Sequence, residues 1–184
     1  MDASTEAHRA AGLLRFWQDA GPRRWFRKDA AFDAEFRDGF LDLHQAAARG
    51  DLQAWTLDAN TCLALLLLLD QFPRNAFRGT ARAFSTDALA RVAAEQALAR
   101  RCDAPFDDEL RNFFYLPFMH SEWLPDQERA LELTRGLGTE APRFAVVHHS
   151  IVQRFGRFPH RNALLGRRTT AQEQAFLDQG GFAG

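Results

Sequence analysis

Residues 114–128 read FYLPFMHSEWLPDQE and set an imidazole and a carboxylate two positions apart, at His120 and Glu122, with Asp126 and Gln127 beyond. Histidine titrates near neutrality, so this pair suits general acid–base chemistry, with His120 as the base and Glu122 orienting it. Prolines on both sides predict an irregular connection between helices, a place where functional residues concentrate. The competing expectation is a His–Glu pair that only holds a turn together. No metal is expected, because H-x-E lacks the HExxH or His-x-His spacing of a metal site. Cys62 and Cys102 have no ligand spacing either.

A second constellation is RFGRFPHRN, residues 154–162. It lies inside a stretch, 141–172, that holds no Asp or Glu but six arginines and the histidines 148, 149 and 160. The preceding stretch, 101–140, holds nine acids against four arginines. Either the acidic block packs on the basic one and the charges pair, or some arginines stay open and form an anion site. In the second case Arg154, Arg157, His160, Arg161 and Asn162 are the candidate ligands. Gly156 and Gly166 then allow close backbone approach, and Thr169 and Thr170 offer hydroxyls and helix N-terminal amides.

The third is LLLLLDQFPRN, residues 65–75, which echoes the second in its FPRN. Asp70 ends a leucine-rich helix, where the negative end of the helix dipole disfavours a carboxylate by up to about 1 kcal/mol. A compensating cation is expected. Arg74 and Arg78 follow, and one should turn back onto Asp70. The pair either pins the helix end or orients an arginine toward a ligand, with Asn75 beside it.

The elements that must position these residues all read as helices. Periodic segments are predicted over about 4–20, 29–49, 52–71, 86–101, 107–115, 125–135, 142–155 and 170–179, with a brief turn or helix after Pro159. Ser4 or Thr5 is the expected first cap, Pro73 the expected stop of the leucine-rich helix, and Pro117 an interruption. Phe32, Phe36 and Phe40 make one apolar stripe. TTAQE at 169–173 reads as a capping box. The four tryptophans are expected in the core or lining a groove. No stretch alternates with period two. The fold expected is all-α, eight or nine helices as stacked antiparallel hairpins in a tetratricopeptide-like superhelix, with a compact bundle as the competitor.

The chain's 184 residues suit one domain, 1–184, and its apolar fraction of 46% is ample for a core. A net charge of −1 gives no global attraction to nucleic acid or membrane, and neither partner is expected. Only one of the 23 basic residues is lysine, so arginine position is more informative than arginine number. The N-terminus shows no signal peptide and the longest apolar run is too short to span a bilayer, so a cytoplasmic location is expected. No GxGxxG, GxxxxGK[ST], GxSxG or paired CxxC is present, and no cofactor is expected.

Taken in order, LLLLLDQFPRN, FxxLPFMHSE, RFGRFPHRN and LGRRTT resemble a bacterial domain-of-unknown-function family. The likeness runs from FWQDAGPRRWFRKDAAFD to the TTAQEQAFL helix. It implies an all-helical, tetratricopeptide-like arrangement, and implies no settled activity or cofactor. The family's characteristic positions fall on Asp70, Gln71, Pro73, Arg74 and Asn75; on His120, Ser121 and Glu122; and on Arg154, Arg157, His160, Arg161 and Asn162. Departures at FWQDA and at His149-Ser150 touch none of these. The leading functional expectation is a module that binds a small anionic ligand or an acidic peptide in an Arg/His-lined groove. One alternative is a hydrolase or lyase using His120 and Glu122 on an anionic substrate. The other is a scaffold whose motif residues lock helix ends together. Oligomeric state stays open.

Overall fold

The computed structural model describes residues 3–182, and every regular element among them is helical. The α-helices are α1 (Ala3–Ala20), α2 (Pro22–Trp25), α3 (Ala30–Arg49), α4 (Ala59–Leu66), α5 (Phe72–Ala76), α6 (Asp87–Ala99), α7 (Asp108–Met119), α8 (Leu124–Thr134), α9 (Ala141–Phe155) and α10 (Ala171–Asp178). Short side chains set their starts. Asp29, Asp58 and Asp107 accept N–H bonds at the heads of α3, α4 and α7, and Thr170 and Glu173 form the expected capping box on α10. Gly50 closes α3 at φ 82°, a conformation that a side chain would strain. Ser4 and Thr5 lie inside α1, not at its cap, because the helix already includes Ala3.

The leucine-rich segment sits at the centre. Leu63 to Leu69 are all buried, and α1, α3, α6 and α7 pack around α4 and the turn that follows it. The phenylalanine stripe of α3 meets α1, with the Phe16 and Phe32 rings stacked at 5.2 Å and Trp17 against Phe36 at 5.3 Å. Full burial of Phe32 and of Phe36 contributes about 1.5–3 kcal/mol each. Beyond this core α6–α7, α7–α8 and α8–α9 pack as successive neighbours, and Ile151, Val152 and Phe158 form a smaller apolar cluster. No helix among the described residues is long and apolar enough to cross a membrane.

Three boundaries differ from expectation. Gln53–Leu57 is a 3₁₀ turn, so the leucine-rich helix begins at Ala59, where Asp58 supplies a better cap. Pro73 does not stop that helix. Its ring crowds the carbonyl four residues back, and the chain relieves this by widening into a π-helical turn, Leu67–Gln71, in which the Phe72 N–H bonds to the Leu67 carbonyl. The displaced carbonyls find side chains instead. Leu68 O accepts from His44 Nδ1 at 2.9 Å, and Leu69 O accepts from the Thr86 hydroxyl at 2.6 Å. The helix then continues as α5. Likewise α7 carries Pro117 inside its last turn and ends at Met119. Trp123 is also a correction: it is 61% exposed, while Trp17, Trp25 and Trp55 are in the core.

Candidate functional site

The π turn aims Asp70 inward, where it is 1% exposed. Its carboxylate receives Gln71 Nε2 at 2.6 Å, His120 Nδ1 at 2.8 Å and Arg74 Nη1 at 3.2 Å. Burial alone would push its pKa up. Arg74, His120 and Gln71 overcome that and hold the carboxyl well below the usual range. Arg74 thus turns back onto Asp70 as expected, while Arg78 goes to Asp33.

His120 closes α7, with its backbone N–H on the Leu116 carbonyl. Burial, reinforced by the charge of Arg74, lowers its pKa even though Asp70 pulls the other way, so the ring is neutral at pH 7. An ionised carboxylate only accepts, so Nδ1 carries the proton and Nε2 keeps its lone pair. Among the described residues Nε2 has no hydrogen-bond partner. His120 lines a cleft of about 330 Å³ together with Phe84, Asp87, Arg91, Ser121, Glu122 and Arg161. A smaller hollow of about 40 Å³ between Leu52 and Val92 contains no titratable side chain and offers no chemistry.

The arginines of FPRN and FPHRN meet on one acid, Asp87 at the head of α6. Arg74 binds it through both arms at 2.8 and 3.1 Å, and Arg161 Nη1 lies 3.4 Å from Oδ2. The Arg161 guanidinium carbon lies over the rings of Phe84 and Phe158, 4.6 and 4.5 Å from their centroids. Burial and the nearby Arg74 lower its pKa to about 10, which leaves it charged at pH 7. Arg91, one turn along α6 from Asp87, donates to Ser121 Oγ at 3.2 Å and lies 3.2 Å from Asp126 Oδ2.

The structure engages the other candidate residues elsewhere. Glu122 does not orient His120; Asp70 does. Glu122 is gripped by both arms of Arg167 at 2.6 and 2.9 Å and accepts the Phe158 N–H at 2.8 Å, because the C-terminal segment folds back over it. Burial opposes its ionisation, but Arg167 and that amide hold its pKa below the usual value. Arg157 is closed on Glu173 at 2.6 and 2.9 Å and on the Arg168 carbonyl, so it docks α10 and does not line the cleft. Arg154 lies exposed over the Phe155 ring. Asn75 donates to Asp33 at 2.7 Å, and buried Asn162 reaches Thr169 at 3.5 Å. His160 lies between Phe158 and Phe182, and burial lowers its pKa to about 4.

The structure therefore brings together His120, Glu122 and Arg161 at the cleft, with Asp70 and Arg74 directly behind. Asn75, Arg154, Arg157, His160 and Asn162 lie apart from its lining. Sequence reasoning missed Asp87, Phe84 and Arg91, and did not give Ser121 a role. The i,i+4 spacing of Asp87 and Arg91 was the available signal, since it sets both on one face of α6. Among the described residues no group of three or more His, Cys, Asp or Glu side chains could hold a metal ion.

Comparison with curated proteins gives no match. A solved structure of a protein of unknown function from Agrobacterium tumefaciens is similar, at 52% identity and a TM-score of 0.93, with 95% of this chain and 99% of that one covered. The model of a bacterial family of unknown function, DUF924, matches residues 13–181. A match over nearly the whole length, to a family whose members are bacterial and uncharacterised, means that the chain belongs to the DUF924 family.

Proposed function

We propose that the cleft binds a small anionic molecule and that His120, held by Asp70, moves a proton to or from it. The observation that carries this reading is the 2.8 Å bond from His120 Nδ1 to a buried, ionised Asp70, which leaves Nε2 as a free base on an open cleft of about 330 Å³. A carboxylate behind an imidazole fixes its tautomer and stabilises the imidazolium that forms when the base takes a proton. Arg161 and Arg91 on the same walls favour an anionic group on the ligand. The cleft suits a small molecule better than an acidic peptide. Hydrolysis and elimination are the reactions such a base serves.

The test is a turnover screen over carboxylate- and phosphate-bearing compounds, run with His120→Gln as control. A positioned base contributes roughly 10²–10⁴-fold, so the variant should lose at least about 10²-fold in kcat with KM nearly unchanged. Equal turnover by His120→Gln would remove His120 from the chemistry. If no anion raises the melting temperature above chloride at equal ionic strength, the motif residues are architecture alone.

A further inference from the structure

We infer that the cleft accepts a short dicarboxylate, one end on Arg161 and the other on Arg91; this rests on the anion-binding reading above. The argument is a contrast in how arginines are used. Arg74, Arg157 and Arg167 each close both arms of the guanidinium on one carboxylate. The two that line the cleft do not. Arg161 engages only Nη1, at 3.4 Å, and Arg91 only Nη1, on Ser121 and near Asp126. A guanidinium has five N–H donors. Among the described residues the other donors of both side chains have no acceptor, including the buried Nε of Arg161.

Shape narrows the ligand. The Phe84 and Phe158 rings crowd the Arg161 guanidinium, at 4.6 and 4.5 Å from its central carbon, and favour a flat ligand group on its N–H edge. A planar carboxylate fits that edge through two parallel bonds. At the Arg91 end, Ser121 Oγ accepts from Arg91 and from the Trp123 N–H at 3.1 Å. Both its lone pairs are used, and its proton is left for a ligand oxygen. The acids on the walls do not repel such a ligand strongly, because Asp87 is paired to Arg74 and Glu122 to Arg167. A volume of about 330 Å³ is at the small end for ligand sites, which suits a spacer of few carbons between the two carboxylates.

Isothermal titration at pH 7 and constant ionic strength tests this, with acetate, malonate, succinate, glutarate and inorganic phosphate as probes. At least one dicarboxylate should bind about tenfold or more tighter than acetate, the margin of one further charge-assisted contact. Arg91→Ala should erase that margin and leave acetate within about twofold. Arg91→Lys keeps the charge without the fork and carries the test if Arg91→Ala fails to fold; it should shrink the margin. A dicarboxylate no tighter than acetate, or an unchanged margin in both variants, overturns the inference. Phosphate tighter than every dicarboxylate overturns the carboxylate assignment while anion binding stands. Absence of binding by every probe overturns the reading beneath it.

Discussion

Asp70 is the residue on which the site turns, because it is buried, ionised and shared by His120, Arg74 and Gln71. Removing one member of a buried charge pair leaves the other without compensation, at a cost of about 3–5 kcal/mol. Asp70→Asn should therefore lower unfolding stability by about 3 kcal/mol in urea titrations at pH 7, with Arg74 still anchored by Asp87. A loss under about 1 kcal/mol would mean that the charge is not needed there. Arg157 belongs to a different task. Arg157→Ala should leave anion binding intact and speed hydrogen exchange in α10, whose capping-box residue Glu173 it holds. Unchanged exchange in residues 171–178 would show α10 docked by other means.

At the scale of elements, the π turn is what aims Asp70, and its displaced carbonyls make it vulnerable. Thr86→Val keeps the shape but strips the donor from Leu69 O. An unsatisfied buried carbonyl costs about 1–3 kcal/mol, which chemical denaturation should register. The helices themselves were legible, since caps, glycines and apolar spacing act locally. The turn was not, because a proline in sequence reads as a stop, and only His44 and Thr86, far along the chain, make passage through it tolerable. The same limit applies at the site. The return of Arg74 onto Asp70 could be read from a carboxylate at a helix end. The bond between residues 70 and 120 could not, and the neighbouring Glu122 was the natural but mistaken partner. The charge imbalance of 141–172 was real, yet most of it is spent inside the fold.

For the whole molecule, burial lowers the pKa of His44, His120, His148 and His160 together, the last two to about 3 and about 4. In the unfolded chain these groups titrate near about 6.5. Between those values the unfolded state binds more protons, so stability falls as pH drops below about 6.5. The lowered carboxylates, Glu122 and Glu173 among them, add to the loss only below about pH 4.5. Melting temperatures should decline from pH 6.5 to pH 5, before carboxylates titrate; a flat profile there would contradict neutral buried histidines. The reach of Arg161 back to Asp87, across 74 positions, has a consequence for biosynthesis. A chain still emerging from the ribosome possesses Asp70 and His120 but no finished chamber around them. The cleft is complete only once the segment carrying Arg161 and Leu165 has folded onto it. A ligand bound as proposed should therefore slow proteolytic nicking of the loop at 162–170, because it would touch both His120 and Arg161.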